Sequence, residues 1–184
     1  VLSFPTIMLF ISISGMSLYL TVGKTVSEAM VNHQYSPKVL LKKACKLSLI
    51  VSLIVDSIYI LLLKPLTIYL LKNESLYYPL LTGALLIPLV GISDGLKGYF
   101  NGIKKTFIAS LGNLTEQIAR ISFSLLFLYL MMPKGMVVAT TFCLLALSFG
   151  EMMAIVFSLI KIKKYPPLDF PNTHNETKAI LRIS

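Results

Sequence analysis

Apolar stretches of about 20 residues or more recur five times along the chain, at roughly Leu2 to Val22, Ala44 to Leu63, Tyr78 to Phe100, Phe107 to Leu130 and Val137 to Ile160. At a rise of 1.5 Å per residue, a helix of that length crosses the roughly 30 Å of hydrocarbon in a bilayer. None of the stretches alternates as a barrel strand does, and continuous apolar runs of this length satisfy their backbone groups in lipid only as helices. The expected fold class is therefore all-α, a polytopic transmembrane helix bundle with five visible spans. Composition supports this, because only 14% of residues are charged and 55% are hydrophobic, against about 25% charged in a soluble domain.

The formal charge of +9 raises the question of nucleic acid. The lysines, however, sit in short clusters between the apolar runs, without an aromatic-interleaved basic face, so no nucleic-acid partner is expected and the membrane lipids are. The clusters report topology instead. Lys24, Lys38, Lys42, Lys43 and Lys46 flank the first loop, Lys97, Lys104 and Lys105 the third, and Lys161, Lys163 and Lys164 the last, with Lys178 and Arg182 beyond. These 13 basic residues fall on one side, against Lys64, Lys72 and Lys134 on the other. By the positive-inside rule the basic loops are cytoplasmic, and the first visible span runs inward.

That orientation implies an odd number of earlier spans if the true N-terminus is cytoplasmic, and one missing helix is the simplest case. The chain opens at Val1 directly in an apolar segment, and Glu176 to Ser184 has the look of a helix just beginning, so truncation is expected at both edges. Residues 1–164 form the expected bundle, and residues 165–184 a cytoplasmic linker leading into a further helix. Tyrosines supply the interfacial belt in a chain without tryptophan: Tyr69, Tyr77, Tyr78 and Tyr129 at the outer edge, Tyr19, Tyr99 and Tyr165 at the inner one. Pro79, Pro88, Gly83, Gly91, Gly95 and Gly98 interrupt the third span, which predicts a bent and closely packed helix.

Five ionisable residues fall within or near the spans: Asp56, Asp94, Glu116, Arg120 and Glu151. Each costs roughly 3 kcal/mol to insert, so each is expected to face the bundle interior. Glu116 and Arg120, one helical turn apart with Gln117 between them, form the sharpest polar constellation. Two readings stand side by side, a self-neutralising pair that lets the span insert and a pair lining a substrate path. Arg120 suits an anion, because a guanidinium grips phosphate in a forked geometry. Asp56 reads either as a helix–helix hydrogen bond or as a proton or ion site, and Asp94 and Glu151 are further candidates for ion coupling. Lys24 and Glu28 form an i,i+4 pair at the inner mouth of the first span.

Other chemistry lacks machinery. No Ser-His-Asp set, glycine-rich phosphate loop, CxxC or HExxH motif is present, so neither an enzyme nor a cofactor is expected. His33 and His174 are isolated, which gives no metal site. Cys45 and Cys143 lie in or beside apolar runs and read as buried thiols, and the Asn-x-Ser/Thr triplets at Asn73, Asn113 and Asn175 carry no assigned role.

Three runs occur in order: Gly23-Lys24-Thr25-Val26-Ser27-Glu28, then Asp94-Gly95-Leu96-Lys97-Gly98-Tyr99-Phe100-Asn101-Gly102, then Glu116-Gln117-Ile118-Ala119-Arg120. Together they resemble the stage V sporulation protein B and polysaccharide-export branch of the multidrug/oligosaccharidyl-lipid/polysaccharide exporter superfamily, with its patterns S-K-x-V-S-E, L-R-G-Y-F-Q-G and E-Q-x-x-R. The chain departs from those patterns with Gly23 for Ser, Lys97 for Arg and Asn101 for Gln, and it has no proline between Lys104 and Ala109.

The resemblance implies a two-lobed transporter of twelve or more helices working by alternating access, of which the visible spans are helices two to six of a six-helix N-terminal lobe. It implies a flippase for lipid-linked oligosaccharide or a cell-wall precursor, with the sugar pyrophosphate lipid as substrate and sodium or a proton as coupling ion. Arg120, with Lys24 and Lys97 nearer the inner mouth, would attract the pyrophosphate while Glu116 tunes that charge and Gln117 lines the same path. A multidrug/cation antiporter of the same superfamily is the alternative, and a non-transporting membrane scaffold for envelope or spore assembly a further one.

Overall fold

The structure, a computed structural model, describes residues 3–31, 37–70 and 76–164. Expectations on His33, Lys72, Asn73, Tyr165, His174, Asn175, Lys178, Arg182 and the segment 165–184 fall outside the described residues. Within them the chain is helical: α1 (Ser3–Val31), α2 (Pro37–Pro65) with a π-helical turn at Leu66–Leu70, α3 (Tyr77–Gly102), α4 (Thr106–Met131) with a 3-10 turn at Met132–Lys134, and α5 (Met136–Lys164). No strand occurs among the described residues. Four segments are long and apolar enough to cross a membrane, Val39–Tyr69, Tyr77–Gly102, Thr106–Lys134 and Met136–Lys164. The fifth expected span lies in α1, which packs along α3.

The helices outrun the apolar stretches that announce them. α1 continues beyond Val22 to Val31, α2 begins before Ala44 at Pro37, and α5 extends past Ile160 to Lys164. Lysine, glutamate and methionine favour the helix, and long basic side chains reach water from a helix end while their stems stay in apolar surroundings. The polar ends therefore extend the helices rather than terminate them.

Two apolar clusters show how the helices run. One gathers Ile7 of α1, Tyr59 and Leu63 of α2, Leu80 to Val90 of α3, and Leu144 and Leu147 of α5. The other gathers Val22 and Val26 of α1, Leu40 and Ala44 of α2, Tyr99 and Phe100 of α3, and Ala109 of α4, with Ile162 of α5 against them. Early residues of α1 thus meet late residues of α2, and successive helices alternate in direction. Lys24, Lys42, Lys43, Lys46, Lys104, Lys105, Lys161, Lys163 and Lys164 lie toward the same end of the bundle as the second cluster.

α3 is the central helix and touches the other four. Of its apolar window 61% is buried inside the protein, against 22% in α2 and 11% in α4. Glycine makes that closeness geometrically available: a Cβ on Gly91 or Gly95 would run into Ser52 or Ser48 of α2, and one on Gly98 would lie 2.7 Å from the Tyr19 carbonyl oxygen of α1. Pro79 occupies the first turn, where its missing N–H is not needed, and α3 remains a single helix through Pro88. α4 packs chiefly on α5, where Phe123, Phe127, Phe142 and Phe149 interlock with ring centroids 5.3 to 6.2 Å apart.

The tyrosines divide. Tyr69, Tyr78 and Tyr129 are exposed, as an interfacial belt requires, but Tyr99 is buried in the second cluster with its ring 5.8 Å from Phe100. It shares that cluster with Val22 and Val26 of α1 and with Leu40 and Ala44 of α2, which corrects its assignment to the inner belt. Tyr59 is also fully buried, and its hydroxyl donates to the Leu80 carbonyl at 2.7 Å, tying α2 to α3. Tyr59→Phe is expected to lower stability by about 1 kcal/mol without changing the helical content, measured by thermal melting in detergent micelles.

Candidate functional site

Between the two apolar clusters, five ionisable side chains from three helices converge. Asp94 and Lys97, three apart on α3, share a face, as do Glu116 and Arg120, four apart on α4. Glu151 completes the set from α5. Gly150 allows α5 to come this close, since a Cβ there would lie 3.1 Å from the Cβ of Arg120 and 3.2 Å from the Glu116 carbonyl oxygen. On the far side, α1 meets Asp94 at Gly15, where a Cβ would collide with the carboxylate.

Glu116 is the bridge. Its Oε2 accepts from Lys97 Nζ, and its Oε1 from Arg120 Nη2. Lys97 also donates to Asp94 Oδ1 at 3.2 Å, Arg120 donates to Glu151 Oε1 at 2.9 Å, and Lys97 Nζ lies 4.0 Å from Glu151 Oε2. The side chains of Lys97, Glu116 and Glu151 are 4%, 7% and 3% exposed, while Asp94 and Arg120 retain 21% and 25%. The first three form a dry centre, and Asp94 and Arg120 its rim. Glu116 lies ten residues into α4, about 15 Å along the axis at 1.5 Å per residue, so the cluster sits well inside the bundle.

Isolated charges at that depth would each cost roughly 3 kcal/mol, and mutual pairing offsets much of this. The pairing is uneven. With every group ionised, three carboxylates face two cations, leaving one negative charge uncompensated. Among the buried polar atoms without a hydrogen-bond partner are Glu151 Oε2 and Arg120 Nε of the cluster itself and the hydroxyls of Ser93, next to Asp94 in sequence, and Ser148. In a dry interior such atoms are expensive unless something binds them.

The sequence-derived candidates take different places. Glu116, Arg120, Lys97, Asp94 and Glu151 meet in one cluster, so Lys97 belongs to the interior and not to the inner mouth, and the basic side loses it from the topological count. Gln117 points away from the cluster on the exposed face of α4. Lys24 remains at the end of the bundle, 3.8 Å from Glu28, with both side chains largely exposed, a pair worth a few tenths of a kcal/mol at most. Asp56 stands apart on α2. Its Oδ1 is buried without a partner, and the nearby Ser52 and Ser57 hydroxyls donate to the Leu49 and Leu53 carbonyls of their own helix.

Ser93 and Ser148 escaped sequence reasoning. Their signal is faint but real: each is a small polar residue inside an apolar span, one beside Asp94 and the other three residues before Glu151.

Fold and site together define a polytopic helical membrane protein with a buried ion cluster at its centre. The family profile described as "Polysaccharide biosynthesis protein" matches residues 1–184, and the chain belongs to that family. It is similar to the stage V sporulation protein B of Bacillus subtilis (strain 168), with 24% identity over 161 residues that cover 86% of this chain and 31% of the relative. The chain thus spans about a third of the length of that curated relative. No solved structure matches it.

Proposed function

We propose that this chain is part of a flippase that moves a lipid-linked oligosaccharide or cell-wall precursor across the bacterial cytoplasmic membrane by alternating access, with the lysine-rich end of the bundle facing the cytoplasm. The observation that carries the reading is Arg120. It is the one cation at the rim of the buried cluster, a quarter exposed, with a guanidinium engaged by carboxylates through Nη2 while its Nε donor is unmet. A pyrophosphate presents the forked acceptors that such a group binds best.

In this arrangement Glu116 and Glu151 are resident counterions. They hold Arg120 in place while the site is empty, and an arriving phosphate competes with them for the same donors. Lys24, exposed at the cytoplasmic end, draws the headgroup toward the bundle by long-range attraction. Lys97 acts on the carboxylates and not on the cargo, because its ammonium is enclosed by Asp94, Glu116 and Glu151.

The test uses the full-length parent protein at matched membrane abundance. Arg120→Ala is expected to lower the rate of lipid-linked sugar translocation at least roughly tenfold, as loss of a charged hydrogen-bond donor worth about 1.5–3 kcal/mol implies. Undiminished translocation would remove Arg120 from the mechanism. The antiporter reading predicts instead that drug resistance, not sugar-lipid accumulation, changes in a depletion strain.

A further inference from the structure

The two ends of the bundle differ in more than their lysines. Opposite the lysine-rich end, between the last turns of α2 and the first of α3, lies a cavity of about 420 Å³ lined by Lys64, Thr67, Ile68, Tyr77 and Tyr78. We infer that this cavity binds the phosphate of a membrane lipid, with Lys64 as the partner of the anion and the tyrosines as walls.

Backbone chemistry shapes the place. Pro65 lacks the N–H that would continue the α-helical ladder, and after it the chain passes into the π-helical turn at Leu66–Leu70, a wider turn whose bonds reach five residues back. Thr67 of that turn is 2% exposed, and its hydroxyl hydrogen is shared between the Leu63 and Lys64 carbonyls at 3.1 and 2.9 Å. It has no donor to spare. On the α3 side, Tyr77 packs against the first apolar cluster and Tyr78 stands edge-on to it, with ring centroids 5.9 Å apart.

The side-chain donors left to the wall are the Lys64 ammonium and two phenol hydroxyls, a set that suits an anion. No carboxylate lines the cavity, and among the described residues none forms an ion pair with Lys64. A lysine in the last turn of α2 is explained in part by the helix dipole, which favours a cation there. The dipole does not explain a cavity walled by two tyrosines beside it.

Depth points to the same ligand. Tyr69 and Tyr78 are 79% and 70% exposed on segments apolar enough to cross a membrane, and such rings settle at the level of the lipid headgroups. A phosphate at that level reaches Lys64 without entering the bundle. Ile68 and the ring faces offer an apolar wall to the neighbouring glycerol or acyl carbons, and the volume falls within the roughly 300–1,000 Å³ of small-molecule sites. Two lipids carry the group: a resident anionic phospholipid, and a polyprenyl pyrophosphate, the second of which rests on the flippase reading.

Native mass spectrometry of the full-length parent protein in detergent, titrated separately with phosphatidylglycerol and with a polyprenyl pyrophosphate, tests the site. Lys64→Gln is expected to weaken binding of the responsible lipid at least roughly tenfold, as loss of a charged donor implies, while Lys64→Arg retains it. Ile68→Trp, which fills the cavity and leaves the charge in place, should give the same loss. Lys134→Gln removes a lysine at the same end of the bundle but outside the cavity, and should leave binding unchanged. The lipid that responds to Lys64 identifies the source of the phosphate. Unchanged binding of both lipids in Lys64→Gln, wild-type affinity in Ile68→Trp, or an equal loss in Lys134→Gln would overturn the proposal. None of these variants touches Arg120, whose translocation assay stands or fails separately.

Discussion

Lys97→Met is expected to destabilise the protein by roughly 3–5 kcal/mol, the range for removing one partner of a buried ion pair. The substitution nearly conserves volume, so the loss is electrostatic. It leaves Asp94, Glu116 and Glu151 with Arg120 as their one cation, takes away the partner that Asp94 has on its own helix, and empties one of the two bonds to Glu116. A second change locates the cause: Glu116→Gln in the same chain removes an excess acid while keeping an oxygen for Arg120. The double variant is expected to recover about 1–3 kcal/mol relative to the sum of the single changes. Lys97→Arg retains the charge and should lose far less. Unfolding in graded detergent denaturation reads all five proteins, Glu116→Gln alone included, and equal stability of Lys97→Met and wild type would show that the cluster is not held by pairing.

How much of this was legible in the sequence depends on how local the signal is. Helices and their order follow from apolar runs longer than a bilayer is thick, a property each segment carries alone. The pairing of Glu116 with Arg120 was legible for the same reason, because four residues along one helix fixes two side chains on one face whatever surrounds them. Its extension to Lys97 and Glu151 was not. Those contacts join residues 19 and 31 positions apart, and they exist because Gly150 lets α5 approach α4 and Gly112 leaves room beside the Lys97 stem.

Lys97 shows how a general rule misleads at such a place. Three residues from Asp94 and near the end of a span, it counts as one more cytoplasmic lysine by position alone. What internalises it is the set of three acids, only one of which lies on its own helix. Tyr99 repeats the lesson in apolar form: the same position near a helix end that suggests an interfacial ring is buried in a cluster to which α1, α2 and α4 all contribute. Burial here is decided by neighbouring helices, and composition within a span does not carry it.

Gly98→Leu is the second change expected to have a large effect, because the atoms in its way cannot yield. A Cβ there would sit 2.7 Å from the Tyr19 carbonyl oxygen, 3.3 Å from the Tyr19 Cα and 3.3 Å from the Val22 Cβ. Two of the three are backbone atoms, so relief requires α1 and α3 to separate along their length rather than one side chain to rotate. Alanine at this position should already cost about 1–3 kcal/mol, and leucine should exceed that range and reduce the folded fraction recovered from membranes. Gly112→Ala is the matched control: its nearest neighbours would be 3.9 Å away, an ordinary contact, and helix propensity favours alanine by roughly 1 kcal/mol, so it should be neutral or stabilising. The consequence reaches the site as well. α1 is the helix whose Gly15 covers Asp94, and lifting it from α3 would open the rim of the ion cluster to lipid, where a carboxylate loses the partners that make its position tolerable. Stability and the integrity of the charge cluster should therefore fall together in the Gly98 series, and a leucine variant that kept wild-type melting would show that α1 does not pack on α3 as described.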